Sequence, residues 1–171
     1  QCEEGYSNEK CRILICGGTG CLAGGAGELY EKFSELVAGN PKVNVEIGDG
    51  IAAVKKSGCH GFCEMGPLVR IEPYNYLYLH VKLEDCEEIV FKTLKEGKPI
   101  ERLMYRSNGA LYKTQEEIPF YKKQTRLVLH NCGHIDAENI QEYIGNGGYT
   151  AAATALSMNP KDICKLITDS G

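Results

Sequence analysis

The spacing of apolar residues predicts a strand followed by an amphipathic helix near the start of the chain. Residues 12–16 form a short apolar run, which is typical of a buried strand. From Gly25 onward the apolar residues recur with a helical period and share one face, namely Ala26, Leu29, Tyr30, Phe33, Leu36 and Val37. Gly39 and then Pro41 are stop signals, so we expect this helix to end there.

Further strands and a second helix are expected up to about residue 100. The patterns predict extended segments at 43–47, 51–55, 68–72 and 74–80, the last two joined by a tight turn. Asp85, with Glu88 three residues later, resembles the N-terminal box of a helix that ends at Gly97. Strand, helix, strands and a closing helix together indicate a compact α/β unit.

After about residue 100 the sequence patterns predict a hairpin, a connector and helices. Asn108-Gly109 between two apolar runs is a strong signal for a β-hairpin. Residues 113–124 are polar and contain a proline, which suggests a connector, and 126–129 reads as a strand or extended segment. We expect Asp136 to begin a helix that ends near residue 145, a second helix over 148–158, and a third that starts at Asn159-Pro160 and ends at Gly171.

Composition and charge exclude some classes of function. The chain is 43% hydrophobic and 25% charged, which is ordinary for a globular protein. Its formal net charge of −4 argues against nucleic acid as a partner, because no basic patch would neutralise phosphates. No apolar run reaches the length of a membrane span, so we expect no direct membrane contact. The chain has 9 cysteines, and that number in a chain expected to be cytoplasmic points to metal ligation.

Four of the cysteines lie in two glycine-rich pairs, in Cys16-Gly-Gly-Thr-Gly-Cys21 and in Cys59-His-Gly-Phe-Cys63. Four cysteine thiolates are the ligand set of a [2Fe–2S] cluster. Such a cluster needs backbone N–H groups close to its sulfurs, and glycine can adopt the conformations that this requires. We therefore predict that Cys16, Cys21, Cys59 and Cys63 hold a cluster and that the rest of the chain is its scaffold.

Three other uses of these thiols stay open at this point. Two disulfides are possible, although thiols stay reduced in the cytoplasm and no signal peptide is visible. Structural zinc also takes four thiolates, but zinc knuckles usually have the tighter C-x₂-C spacing. A thioredoxin-type redox pair needs C-x-x-C, which neither pair has.

The remaining histidines and cysteines are expected to be ordinary surface, loop or core residues. His60, between two predicted ligands, lacks the second histidine of a Rieske site. We expect a loop residue whose side chain is more often exposed than not, the alternative being that it adjusts the cluster potential through nearby hydrogen bonds. We expect Cys86 and Cys164 to be small buried residues and Cys2 to be a free surface thiol. Cys132 is expected to be structural, in a loop. His80, His130 and His134 show no ligand spacing, and Cys11 pairs with nothing by spacing.

The motifs resemble a known family. The order C-x₄-C then C-x₃-C, followed by Glu64-Met-Gly-Pro-Leu-Val69, is similar to the thioredoxin-like [2Fe–2S] ferredoxins. Farther on, the chain resembles the opening of the NADH-binding flavoprotein (β) subunit of NAD(P)-linked, electron-bifurcating iron hydrogenases and formate dehydrogenases, which is like the 51 kDa subunit of complex I. The segments that carry this second resemblance are Ile118-Pro-Phe-Tyr-Lys-Lys-Gln124, Asn131-Cys-Gly-His-Ile-Asp136, Glu142-Tyr-Ile-Gly-Asn-Gly-Gly-Tyr149 and Ala155-Leu-Ser-Met-Asn-Pro160.

The resemblance implies a domain order and a function. It implies an arm at 1–10, a thioredoxin-like [2Fe–2S] domain at 11–100, a hairpin and linker at 101–124, and a mainly helical, truncated start of an NADH/FMN-binding domain at 125–171. It implies electron transfer inside a cytoplasmic NAD(P)H-dependent oxidoreductase, with other iron–sulfur and flavoprotein subunits as partners and a homo-oligomer possible. By the same resemblance, FMN, NAD(P) and [4Fe–4S] belong to the missing remainder of the parent chain, and this fragment contains no catalytic, flavin or nicotinamide residue.

Two alternative functions remain. The chain could be a free-standing thioredoxin-like ferredoxin that acts as an electron carrier or docking module. It could also be a zinc-binding or redox-sensing protein in which the metal serves structure alone.

Overall fold

A computed structural model describes residues 9–38 and 51–171 of the chain. The strand predicted at 43–47 and the predicted free thiol of Cys2 lie outside the described residues. The chain divides into two compact units, Gln1–Glu138 and Asn139–Gly171. The domain boundaries expected from the sequence stay a prediction.

A mixed sheet forms the centre of the first unit. Its strands are β1 (Glu9–Cys16), β2 (Ile51–Ser57), β3 (Val69–Glu72) and β4 (Tyr76–Tyr78), in the spatial order β2-β1-β3-β4. β2 runs parallel to β1, whereas β3 and β4 are antiparallel to their neighbours. β1 is apolar on both faces because it lies inside the sheet, and its Ile13, Leu14 and Ile15 are all buried. The four predicted strands within the described residues are confirmed.

Helices cover this sheet and complete the core. A short α1 (Thr19–Ala23) follows β1, and α2 (Ala26–Ala38) then presents Leu29, Phe33 and Leu36 to the interior, as its apolar period predicts. α3 begins at Cys86–Glu88 and continues as a π-helix over Ile89–Lys95. It buries Ile89, Val90 and Leu94. Gly97 follows with φ of 69°, a left-handed conformation that glycine adopts without strain and that ends the helix.

Asp85 does not begin α3 in the way its spacing to Glu88 suggests. Its carboxylate instead accepts a hydrogen bond from the Lys82 backbone N–H at 2.8 Å, in a short 3₁₀ turn before the helix. It also pairs with the Arg102 guanidinium at 2.7 Å. A buried carboxylate gains more from a charged partner than from the weak field of a helix end, so the predicted cap is wrong.

A hairpin and two helical turns close the first unit. β5 (Tyr105–Ser107) and β6 (Ala110–Tyr112) pair through Asn108 and Gly109, which both have positive φ, so the predicted hairpin is confirmed. Residues 113–124, predicted as a polar connector, form a 3₁₀ turn and α4 (Pro119–Lys122). Their buried side chains, Gln115, Ile118 and Tyr121, belong to the interior of the unit. The strand predicted at 126–129 is wrong, because Leu127–Leu129 forms a bend and turn with exposed side chains.

The second unit is helical, as predicted. It contains α5 (Ile140–Gly145), α6 (Thr150–Leu156) and α7 (Pro160–Ser170). The α5 helix is capped by the Asn139 side chain, not by Asp136, because the Asn139 amide oxygen accepts from the first free N–H groups of the helix. Asn159 caps α7 in the same way, as expected, with Pro160 in the first turn. In the described part of the chain, no helix has the length and apolarity to span a bilayer.

Candidate metal centre

The first cysteine pair lies where β1 turns into α1. Cys16 is the last residue of β1, and its backbone N–H donates to the Leu68 carbonyl at 3.0 Å. The next amide, of Gly17, donates to the Ser57 carbonyl at 2.9 Å, so the turn is tied to both neighbouring strands. Cys21 points inward from α1, and both thiols are buried. The sheet therefore fixes this pair rigidly.

The second cysteine pair lies in the loop that follows β2. The thiol sulfurs of Cys59 and Cys63 are 3.8 Å apart. The backbone N–H of Gly61, between them, donates to the Cys59 sulfur at 3.3 Å. Cys59 is half-buried and Cys63 is exposed, so this pair faces solvent whereas the first pair does not.

Three glycines bring the two pairs together. A Cβ atom on Gly18 would lie 2.9 Å from the Cys59 sulfur and 3.5 Å from the Cys16 sulfur, so this backbone fits between the two pairs. A Cβ on Gly66 would lie 2.7 Å from the Cys21 sulfur, and one on Gly20 would lie 3.6 Å from the Cys63 sulfur. Any larger residue at Gly18 or Gly66 would occupy the space of a sulfur. All four predicted thiols therefore converge on one glycine-lined place.

The thiols interact electrostatically. The pKa of the Cys16 thiol is lowered to about 6, chiefly because the Cys21 thiol hydrogen-bonds to its thiolate. The pKa of Cys21 is raised by the same hydrogen bond and by burial. Burial is also the main cause that raises the pKa of Cys59. Metal ions bind the thiolate form of cysteine, so loading this site would release the protons that the thiols carry.

The two pairs suit a two-iron centre. Two adjacent thiol pairs are what a [2Fe–2S] cluster requires, since each iron takes two protein ligands. The glycine backbone leaves room beside the sulfurs, so the residues present fit the group.

His60 differs from its expected exposure. It is fully buried, with Nε2 at 2.9 Å from the Ser57 hydroxyl and Nδ1 at 2.8 Å from the Gln115 side-chain oxygen. Burial lowers the pKa of His60 to about 4, so the ring is neutral at pH 7. Both ring nitrogens lie within hydrogen-bond distance of a side chain, so His60 connects the ligand loop to Ser57 and Gln115 in the interior. Sequence spacing gave no sign of this because Gln115 is 55 residues away.

The other cysteines and histidines fall outside the two pairs. All eight described cysteines are free thiols. Cys86 is buried as expected, whereas Cys164 is exposed, so that prediction is wrong. Cys132 is half-buried in a loop, and a Cβ on Gly58 would lie 3.0 Å from its sulfur. His134 accepts a 2.6 Å hydrogen bond from Arg70, while His80 and His130 bond to backbone carbonyls.

Residues from farther along the chain, for which the sequence predicts no part in the site, also cover the ligand loop. Tyr121 packs edge-on against Phe62, with ring centroids 5.6 Å apart. The Arg126 guanidinium donates to the His60 backbone carbonyl. Neither residue belongs to a recognisable ligand pattern, and the aromatic character of 118–121 was the only available signal.

The chain is similar in sequence to known iron–sulfur proteins. Residues 6–94 match the family profile described as thioredoxin-like [2Fe-2S] ferredoxin. A 2Fe-2S ferredoxin of Aquifex aeolicus (strain VF5) is 36% identical over 84 residues, which are 49% of this chain and 71% of that protein. The crystal structure of a wild-type thioredoxin-like [2Fe-2S] ferredoxin from Aquifex aeolicus aligns with a TM-score of 0.49 and 31% identity, covering 58% of this chain and 99% of that one.

A further relative is much longer than the aligned region. The NADP-reducing hydrogenase subunit HndC of Solidesulfovibrio fructosivorans is 44% identical over 50 residues, which are 29% of this chain and only 10% of that protein. The family profile spans more than half of the chain and includes both cysteine pairs. The chain therefore belongs to the thioredoxin-like [2Fe–2S] ferredoxin family.

Proposed function

We propose that Cys16, Cys21, Cys59 and Cys63 hold one [2Fe–2S] cluster and that the chain transfers single electrons through it. The observation that supports this most strongly is the convergence of the two thiol pairs around Gly18, because a Cβ atom added there would lie 2.9 Å from the Cys59 sulfur and 3.5 Å from the Cys16 sulfur. When bound, the cluster supplies one-electron redox chemistry, and the protein supplies burial, charge and hydrogen bonds that set its potential.

The unequal exposure of the four thiols indicates the side on which a redox partner would exchange electrons with the centre. Cys16 at the end of β1 and Cys21 in α1 are buried, whereas Cys63 is exposed and Cys59 half-buried. Electron transfer is fastest over the shortest path, so a redox partner would exchange electrons on the side of Cys59 and Cys63. The two pairs would thus have different roles: Cys16 and Cys21 would fix the centre to the fold, and Cys59 and Cys63 would face the redox partner.

We further propose that the chain works as a module of an NAD(P)H-linked oxidoreductase of the hydrogenase or formate dehydrogenase type. Support comes from the four downstream segments that resemble the flavoprotein subunit and from the 44% identity to subunit HndC. In this setting FMN, NAD(P) and [4Fe–4S] would lie in other parts of the assembly, with iron–sulfur and flavoprotein subunits as its partners. This chain would accept or donate one electron at a time, in the cytoplasm.

Serine substitution tests the ligand assignment. Replacing Cys16, Cys21, Cys59 or Cys63 singly by Ser should lower iron and sulfide content and change the visible spectrum, because a serine hydroxyl is a much poorer ligand for iron than a thiolate. Cys86→Ser is a matched control, since Cys86 is also a fully buried thiol but lies in α3. A Cys16→Ser protein with a full and unaltered cluster would refute the assignment.

A nicotinamide assay tests the module interpretation. The purified chain should bind no flavin and should not reduce an artificial acceptor with NADH, whereas chemically reduced chain should pass an electron to that acceptor. NADH-dependent reduction by the chain alone would overturn the view that it is an electron-transfer module.

A free-standing electron carrier is a second candidate. The 2Fe-2S ferredoxin of Clostridium pasteurianum is 31% identical over 100 residues, which span 96% of that protein. Such a carrier would exchange electrons with several unrelated soluble acceptors, whereas a module should favour one assembly.

A further inference from the structure

Residues beyond the stretch that matches the family profile cover the ligand loop of Cys59 and Cys63. The profile ends at residue 94, whereas the covering residues are 115–126. Phe120 stacks on Phe62 with ring centroids 4.6 Å apart, and Tyr121 meets the same ring edge-on. Gln115 holds His60. The loop is therefore enclosed by a segment that this chain adds to the common ferredoxin domain.

Two hydrogen-bond donors in this segment are buried with no acceptor at ordinary hydrogen-bond distance and angle among the described residues. They are the hydroxyl of Tyr121 and the Nη1 atom of Arg126. Tyr121 is only 8% exposed. Leaving a buried donor unpaired costs about 1–3 kcal/mol, and more for a charged group, so such atoms are rare in native proteins. A cluster sulfur or an ordered water beside the ligand loop would supply the missing acceptor.

The other contacts of Arg126 and Tyr121 place both side chains beside the ligand loop. The Arg126 guanidinium lies on the ligand loop: it donates to the His60 carbonyl, and a Cβ on Gly61 would be 2.8 Å from its Nη2. It also lies over the Tyr121 ring, 5.0 Å from the centroid. Burial raises the pKa of Tyr121, whereas the charge of Arg126 and a hydrogen bond with it lower this pKa. A guanidinium accepts no hydrogen bond, so the proton of the Tyr121 hydroxyl still lacks an acceptor. The Tyr121 ring packs on Phe62, next to Cys63, and the N–H of Gly61 donates to the Cys59 sulfur, so both side chains lie beside the second cysteine pair.

We propose that Tyr121 and Arg126 donate hydrogen bonds to the sulfurs of the [2Fe–2S] cluster and raise its reduction potential. This rests on the proposed ligand assignment. A reduced cluster carries one more negative charge than an oxidised one, so a nearby guanidinium and a hydroxyl donor stabilise the reduced state more. The segment 115–126 would then adjust the potential of the common domain to the needs of this chain.

Measured reduction potentials test the proposal. The variants are Arg126→Gln, Arg126→Lys and Tyr121→Phe, with Lys123→Gln as a control that removes a nearby but exposed charge. We expect Arg126→Gln to make reduction about tenfold less favourable, a fall of about 59 mV for a one-electron couple. Arg126→Lys should keep most of the potential, Tyr121→Phe should lower it less than Arg126→Gln, and Lys123→Gln should leave it unchanged.

The readouts separate this proposal from the one on which it rests. Iron and sulfide are quantified first, and the midpoint is then followed by electron paramagnetic resonance during a redox titration. Unmodified chain that binds no cluster would overturn both proposals. Full cluster content with an unchanged midpoint in Arg126→Gln and Tyr121→Phe would overturn only this one. If Arg126→Gln does not assemble the cluster, the midpoint of Tyr121→Phe, which removes a single oxygen, decides.

Discussion

Replacing Gly18 by alanine should displace the two cysteine pairs from each other. The added methyl would lie 2.9 Å from the Cys59 sulfur and 3.0 Å from its Cβ, inside normal contact distance. Gly18 has φ of −66° and ψ of 148°, which any residue can adopt, so the effect would be steric and not conformational. Cys16 on the other side is fixed at the end of β1, so the loop of Cys59 must move.

The expected size follows from measured overpacking. Inserting one methyl group into a well-packed interior costs about 1–3 kcal/mol. If this cost applies only to the cluster-bound form, Gly18→Ala should bind its cluster roughly five- to hundredfold more weakly, since about 1.4 kcal/mol corresponds to a tenfold change in affinity. Cluster retention is measured as the rate and extent of iron loss to a chelator, followed by visible absorption.

Gly27→Ala is the matched control for this change. Gly27 lies in α2, and a Cβ there would meet nothing within 4 Å. This substitution should leave the cluster unchanged and the stability equal or up to about 1 kcal/mol higher, because alanine favours a helix. Equal cluster retention in Gly18→Ala and Gly27→Ala would refute the claim that Gly18 separates two sulfur ligands.

Two further predictions concern stability. Tyr78→Phe should lower the free energy of unfolding by about 1–3 kcal/mol in chemical denaturation, because the buried hydroxyl bonds to Thr93 at 2.7 Å and to the Ile100 N–H at 3.1 Å. Tyr112→Phe, at a half-buried position, is the control, and an equal effect of the two substitutions would contradict this prediction. The pKa of His134 is lowered by burial and by Arg70, so the unfolded chain takes up the proton first and stability should fall as the pH drops below about 6.5. His134→Asn keeps an acceptor for Arg70 and should flatten that pH dependence, and an unchanged slope would show that His134 has no part in it.

The sequence predicted those features that depend on local pattern. β1 forms at a continuous apolar run, and α2 forms where apolar residues recur with a helical period. The Asn108-Gly109 turn forms because both residues accept positive φ. The cysteine pairs could be found because their ligand spacing is itself local.

Features that depend on distant contacts could not be predicted. His60 looks like a loop residue in the sequence, but Gln115 and Ser57 enclose it in the folded chain. Residues 126–129 have the composition of a strand or extended segment, yet 127–129 form a bend and turn with exposed side chains. Cys164 fits a helical apolar stripe, but α7 leaves it exposed. Tertiary packing overrides the local signal at His60, whereas at 127–129 and Cys164 an apolar pattern is not matched by burial.

The number of irons and sulfides per chain tests the central claim most directly. Protein purified without oxygen is assayed for iron, zinc and acid-labile sulfide, and then reduced and examined by electron paramagnetic resonance. One set of four converging thiols predicts about two irons and two sulfides per chain, with one electron taken up on reduction. One zinc per chain without sulfide, or a protein that takes up no electron, would contradict the account.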